Sequence, residues 1–143
     1  MKMRLAAVLA VAFGMLVGTQ LFAHHGTGIS YDMKKTVTVK GVITKFAFQN
    51  PHSQLYFDVK DDQGNLIHWA AEMRAPGNLE ANGYTRKGLM DKLAPGANVA
   101  VTGNPSKAGS PVMVFVKATL DDGWCLCNDA GGGRDNPDGG YQQ

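Results

Sequence analysis

The sequence predicts an all-β domain with one short helix, a small five-stranded OB-like barrel with the element order β-β-β-α-β-β (OB, oligonucleotide/oligosaccharide-binding). Five segments alternate β-branched or aromatic residues with polar ones, and a helical segment falls between the third and the fourth. The 143 residues include 18 glycines but only two glutamates, a composition that argues against a helical bundle. We therefore expect one barrel domain over residues 35–120.

The first strand is predicted to be long and bent. Val37 and Val39 share one parity, whereas Val42 and Phe46 share the other, so the alternation changes phase near Gly41. A glycine at such a phase change is typical of a β-bulge, which lets one strand serve both sides of a barrel.

The second and third strands are predicted to form a hairpin, Gln54–Lys60 and Leu66–Met73, with Gly64 at the left-handed position of the turn. Hydrophobic parity predicts which residues pair in the interior. These pairs are Val59 with Ile67, Phe57 with Trp69, and Leu55 with Ala71. The opposite, outer face carries Gln54, Tyr56, Asp58, His68 and Glu72.

The connection after the hairpin is predicted to be helical, with Asn78 as its N-cap and Gly83 as its stop. Its apolar residues are expected to cover one end of the barrel: Leu79, Leu89, Met90 and Leu93. Two more strands follow, over 98–103 and 112–120. Residues 121–143 are rich in Gly, Asp and Asn and are expected to form a disordered tail.

Residues 1–23 have the layout of a secretory signal peptide, with a basic start, an apolar run over Leu5–Gly18 and Ala23 before the cut. The alternative is an uncleaved anchor, but that run is shorter than the roughly 18 to 20 residues of a spanning helix. We therefore expect a periplasmic or secreted product with no membrane span, beginning with a histidine-bearing segment over 24–34.

Charge and motifs exclude several function classes. Without Lys2 and Arg4 of the leader, the 14 basic residues become 12, which balance the 12 acidic ones. This balance argues against nucleic-acid binding. No hydrolase, zinc-protease, phosphate-loop or dinucleotide motif is present, so the sequence supports no catalytic assignment.

Four short motifs occur in order along the chain: Ala23-His24-His25, Asn50-Pro51-His52-Ser53, Trp69-Ala70-Ala71-Glu72-Met73 and Leu93-Ala94-Pro95-Gly96. In these motifs the chain resembles a family of small secreted bacterial proteins of unknown function, over residues 23–120. Members carry a leader ending in Ala-His-His-Ser and a downstream Asn-Pro-His. The chain departs from that pattern at Gly26, and its cysteines have no counterpart in it. The resemblance implies a compartment and a barrel, and no activity.

The histidines predict a metal site. Cleavage after Ala23 would make His24 the first residue, whose α-amine and imidazole can chelate one copper(II) or zinc ion, with His25 as a further donor. His52, beside the first hairpin loop, is the expected ligand from the barrel. Glu72 is predicted to be either a ligand or a residue that orients His52.

Structural roles remain open for each of these residues. His24 and His25 can belong to a frayed terminus, and the His52 ring can bond a backbone carbonyl in a turn. Glu72 can be an ion-pair or hydrogen-bond partner. His68 is expected opposite Asp58 on the solvated face, away from the other histidines.

Cys125 and Cys127 are the two cysteines of the chain, separated by one residue. We expect so short a separation to disfavour an intrachain disulfide, which leaves a disulfide to another chain or a thiolate site for copper(I) or zinc.

Together these observations predict an exported metal-binding module, with copper as the first candidate metal and zinc as the second. The alternative is a metal-free scaffolding domain that binds a protein partner or a small solute through Tyr56 and the adjacent strand face. An enzymatic role would require redox activity of bound copper, for which the sequence offers no evidence.

Overall fold

The structure, a computed structural model, describes residues 27–127. Its elements, in chain order, are α1 Thr27–Ser30, β1 Val37–Ala47, β2 Gln54–Lys60, β3 Leu66–Glu72, α2 Pro76–Ala81, α3 Arg86–Lys92, β4 Asn98–Pro105, β5 Val112–Leu120 and β6 Cys125–Leu126. The predicted leader, His24 and His25 lie outside the described residues, as do residues 128–143.

The strands form a closed five-stranded barrel, which confirms the predicted fold class. They follow the order β3-β2-β1-β4-β5-β6, and a further pairing between β3 and β5 closes the barrel. The closing pair is parallel and joins Ala70, Ala71 and Glu72 to Val112, Met113 and Val114. All other neighbours are antiparallel. The helices α2 and α3 lie between β3 and β4 in the chain, where the sequence predicts one.

The long first strand serves both sides of the barrel, as predicted, but its bulge is three residues later than expected. β1 pairs with β4 up to Val42 and with β2 from Val42 onward. The pairing shifts at Thr44, so the alternation that starts at Val37 continues unbroken to Ile43. Ile43 is therefore buried, whereas Val42 is 41% exposed. Gly41 has a different role, because a Cβ atom there would overlap the backbone carbonyl of Asp58 on β2.

The hairpin has the predicted register, with Val59 opposite Ile67 and Leu55 opposite Ala71. Gly64 has the predicted positive φ of 83°. One residue of the interior set was predicted wrongly: Ile67 is 38% exposed because it lies where the hairpin extends beyond the closed part of the barrel.

The helical connection consists of two short helices. The first starts at Pro76, because a proline in the first turn already has a helical φ and lacks only an N–H that would be unpaired there. Its N-cap is Ala75, so the prediction that Asn78 is the cap was wrong. Gly83, with a φ of 87°, follows the helix as predicted. The second helix is capped by Thr85, whose hydroxyl accepts a hydrogen bond from a backbone N–H.

The core is one cluster of apolar side chains that the helices complete at one end of the barrel. Leu79, Leu89 and Leu93 are buried as predicted, whereas Met90 is 44% exposed. Leu89 and Leu93 are four residues apart and share one face of α3, whereas Met90 lies about 100° around the helix from Leu89. Among residues 27–127, no helix is long and apolar enough to cross a membrane.

The described chain continues past the Leu120 boundary that the sequence predicts for the barrel. A turn over residues 121–124 leads into β6, which pairs with β5 through Ala118 and Thr119. Leu126 on β6 is fully buried, and Trp124 packs against the core from its edge.

Candidate functional site

The loop before β2 places His52 at the end of the β2–β3 hairpin. The N–H of Ser53 donates to the carbonyl of Arg74 at 3.1 Å, and the N–H of Met73 donates to the carbonyl of Ser53 at 2.8 Å. These bonds extend the hairpin pairing by one step beyond the strands. His52 therefore lies next to Glu72, the last residue of β3.

The His52 ring is held through one nitrogen. Its Nδ1 lies 3.2 Å from the backbone oxygen of Met73 and 3.2 Å from Oε1 of Glu72. A carbonyl oxygen can only accept a hydrogen bond, so Nδ1 carries the proton. The lone pair of the neutral ring is then on Nε2. A histidine that donates one N–H to a carbonyl or carboxylate and offers the other nitrogen is typical of metal sites.

Glu72 has a second partner, Tyr31, which the sequence did not indicate. The Tyr31 hydroxyl donates to Oε2 of Glu72 at 3.4 Å. Burial, together with the charge and hydrogen bond of Glu72, raises the pKa of Tyr31 above its usual value near 10. Each oxygen of the Glu72 carboxylate therefore faces a different ring.

Tyr31 belongs to the N-terminal segment, residues 27–34, which runs along the β4–β5 loop. Tyr31 forms a bridge with Ser106, and the N–H of Asp32 donates to the carbonyl of Pro105 at 2.9 Å. The N–H of Lys107 donates to Ser30, and its Nζ donates to the carbonyl of Gly28 at 2.8 Å. These are tertiary contacts with no local sequence signal, which is why Tyr31 was missed.

The outer face of the hairpin continues from Glu72 through Gln54, its partner on β2. The Tyr56 hydroxyl donates to Oε1 of Gln54, and Nζ of Lys45 lies 5.7 Å from the centre of the Tyr56 ring. Beside His52 and Glu72 is a small depression of about 130 Å³, with Val114 of β5 in its lining. The site is therefore a partly enclosed corner of an otherwise open sheet face.

A second histidine–carboxylate pair occupies the other end of the same face. His68 lies opposite Asp58, as predicted, and its Nδ1 is 2.6 Å from Oδ1 of Asp58. The His68 side chain is 79% exposed, compared with 47% for His52. It is a surface pair that the structure keeps apart from the His52 corner.

Of the predicted metal residues, the structure brings together His52 and Glu72. His24 and His25 lie outside the described residues. Within residues 27–127, no three or more His, Cys, Asp or Glu side chains are grouped as a metal site.

Cys125 and Cys127 form an intrachain disulfide, the arrangement that the sequence disfavoured. Their Cα atoms are 5.3 Å apart, inside the usual range for a disulfide, so the backbone brings two cysteines separated by one residue close enough to bond. The described chain holds no free cysteine.

The fold and this corner define a class: a small OB-like barrel with a histidine–carboxylate pair beside its first hairpin loop. The chain belongs to a family of unknown function, DUF6152, whose model matches residues 14–114. That match includes Tyr31, His52 and Glu72 and ends before Cys125. None of the curated proteins compared with the chain matches it.

Proposed function

We propose that this chain is an exported periplasmic module that binds a divalent transition metal, copper(II) in preference to zinc(II), with Nε2 of His52 as the ligand from the barrel. The observation that carries the proposal is the bonding of Nδ1, which faces Met73 and Glu72 at 3.2 Å each. It leaves Nε2 with a lone pair on a side chain that is 47% exposed.

Glu72 acts in this proposal on the orientation and basicity of His52. Its negative charge beside Nδ1–H increases the electron density that Nε2 can donate to an ion. The Tyr31 hydroxyl at 3.4 Å holds the other carboxylate oxygen, so the carboxylate has fewer positions to adopt. The ring is therefore set in place before an ion arrives, which lowers the entropy cost of binding.

The remaining donors are His24 and His25. Export with cleavage after Ala23 frees the α-amine of His24 beside its own imidazole, and copper(II) favours such nitrogen-rich sets. Tyr31 lies beside Glu72, and five residues separate it from His25 along the chain. Four of those residues form the helix α1, which rises only about 1.5 Å per residue, so the stretch keeps His25 within about 15 Å of Tyr31.

The alternative is a metal-free domain that binds a protein partner or small solute on the same face. Tyr56 supports it, since this half-buried aromatic ring lies on the outer face of β2, the surface on which OB barrels hold their ligands. The two functions differ in the role they assign to His52, so one set of variants separates them.

The test is isothermal titration of copper(II) and zinc(II) into exported protein whose N-terminus has been established by mass. We expect the parent protein to bind copper(II) with a dissociation constant below about 10 μM. His52→Ala should bind copper(II) about 100-fold more weakly or worse, and its melting temperature should be unchanged. His68→Ala is the matched control, because it removes a second ring that is paired with a carboxylate on the same face. Its affinity should stay within about 3-fold of the parent protein.

Two outcomes would overturn the metal proposal. One is the absence of binding in correctly processed protein, which favours the metal-free alternative. The other is an equal loss of metal affinity in His52→Ala and in His68→Ala, which would indicate that the metal adsorbs to surface imidazoles. Protein that begins at Gly26 tests the terminal donors, and we expect it to bind copper more weakly than protein that begins at His24.

A further inference from the structure

We propose that the Cys125–Cys127 disulfide is a thiol–disulfide exchange site that oxidises dithiols. It lies apart from the His52 corner, at the other end of β5. Val112–Val114 of β5 pair with the end of β3 that carries Glu72, whereas Ala118 and Thr119 pair with β6. The proposal is therefore independent of metal binding at His52.

The segment that carries the disulfide is held in place without it. β6 pairs with β5, and the N–H of Leu120 donates to the carbonyl of Trp124 at 2.9 Å. Leu126, between the two cysteines, is fully buried in the core. Opening the sulfur–sulfur bond therefore leaves the anchors of the segment intact.

We expect the disulfide to add less to the stability of the fold than one that closes a long loop. A disulfide stabilises a protein largely by restricting its unfolded chain, and this effect grows with the length of the loop that is closed. Here the loop contains a single residue, Leu126. A bond that hardly restricts the unfolded chain can be reduced without unfolding the barrel, as an exchange site requires.

A hydroxyl donor lies beside one of the two sulfur atoms. Both cysteine residues are partly exposed. The Thr119 hydroxyl donates to Sγ of Cys125 at 3.7 Å. The same hydroxyl would stabilise a Cys125 thiolate, so we take Cys125 as the leaving group and Cys127 as the sulfur that is attacked.

The reaction balances with a dithiol as the reductant. A substrate thiolate attacks Sγ of Cys127, the sulfur–sulfur bond breaks, and Cys125 leaves as a thiolate that then takes up a proton. The second substrate thiol gives up its proton and attacks the substrate sulfur of this mixed disulfide, which releases the Cys127 thiolate, and this thiolate also takes up a proton. The substrate becomes a disulfide, and two electrons and two protons pass to the cysteines. A small-molecule disulfide, such as oxidised glutathione, reverses these steps and restores the site.

The experiment uses the full exported protein with dithiothreitol as the dithiol and oxidised glutathione as the oxidant, in the presence of a metal chelator. Alkylation followed by mass measurement gives the reduced fraction, and circular dichroism reports the fold. We expect reduction of the folded protein and repeated oxidation of dithiothreitol when glutathione disulfide is supplied. Cys125→Ser has no disulfide to reduce, so we expect glutathione disulfide alone to form a stable mixed disulfide on Cys127, which dithiothreitol then removes.

Thr119→Val tests the positioning residue. We expect it to slow the first attack several-fold and to move the thiolate absorbance of the reduced protein to higher pH, which a purely structural role would not do. Thr38→Val is the matched control, since Thr38 also makes a threonine hydroxyl bond, to Thr102 at 2.9 Å, away from the cysteines. It should leave both readouts unchanged.

Three results would overturn the proposal. The first is a mass of the non-reduced exported protein that shows free cysteines or a disulfide to another chain. The second is reduction that occurs only when circular dichroism shows the protein to be unfolded, which would make the disulfide a structural one. The third is a rate of dithiothreitol oxidation by the folded protein that does not exceed the rate with the Cys125→Ser, Cys127→Ser double variant.

Discussion

The two ends of the β2–β3 hairpin each carry a histidine beside a carboxylate on the same outer face, and they differ in what surrounds the pair. His68 is closer to its partner, at 2.6 Å, than His52 is to Glu72, at 3.2 Å. The shorter contact nevertheless belongs to the more exposed ring, and such surface pairs contribute little to stability. Distance alone therefore does not distinguish a site from a surface pair.

The number of independent contacts does distinguish them. Nδ1 of His52 faces a backbone carbonyl as well as Glu72, and Glu72 is held by Tyr31 from a distant part of the chain. The same end of the hairpin is closed by the pairing of β3 with β5, whereas the other end extends beyond that pairing. Preorganisation at His52 thus follows from where the barrel closes.

The largest expected effect is on the free energy of unfolding, and it concerns the buried side chains beneath the two ends of the β2–β3 hairpin. Leu55 is fully buried near the His52 end, whereas Val59 is half-buried near the open end. Leu55→Ala should lower the free energy of unfolding by about 2 to 5 kcal/mol, because it leaves a cavity. Val59→Ala should cost roughly 1 kcal/mol. Urea denaturation measures both, and equal losses would contradict the difference in closure between the two ends.

Regular alternation made the barrel predictable. Apolar residues at every second position set the hairpin register, and a wrong register would have placed Leu55 and Phe57 on the outer face. The bulge was harder to locate, since Gly41 has no side chain to mark a face and Thr44 is followed by the polar Lys45. The parity of Val39 in fact continues through Gly41 to Ile43.

The candidate site was predictable only in its local part. His52 and Glu72 could be placed together because they flank paired strand ends. Tyr31 reaches Glu72 through tertiary contacts with the β4–β5 loop, and no pattern within its own segment indicates them. Leu126 was missed for a related reason, since a single apolar residue in a polar tail has no period.

The second prediction compares the two carboxylates and rests on the proposed metal site. Glu72→Gln keeps an oxygen that can accept from Nδ1 of His52 but removes its charge, so copper affinity should fall about 10- to 100-fold. Asp58→Asn is the matched change at the other end and should leave copper affinity unchanged. Competition with a chelator of known affinity measures both. Equal effects would mean that Glu72 acts only through the net charge of the protein.

The third prediction uses the raised pKa of Tyr31, which is caused first by burial and then by Glu72. The folded protein keeps this proton at a pH where the unfolded chain, with a pKa near 10, loses it. The stabilising contribution is therefore fully present below about pH 10 and is lost as the pH rises through the folded pKa. Thermal unfolding of Tyr31→Phe should show a shallower loss of stability above about pH 10 than the parent protein. Parallel curves would contradict the raised pKa of Tyr31, and with it both the burial of the hydroxyl and its contact with Glu72.

The smallest effect is expected at the exposed pair. A double-mutant cycle of His68→Ala and Asp58→Ala should give a coupling free energy below about 1 kcal/mol that shrinks as salt is added, because solvent and ions screen a ring that is 79% exposed. Urea denaturation at low and high ionic strength measures it. A larger, salt-independent coupling would mean that the open end of the hairpin is as well organised as the closed one, and the distinction that singles out His52 would then fail.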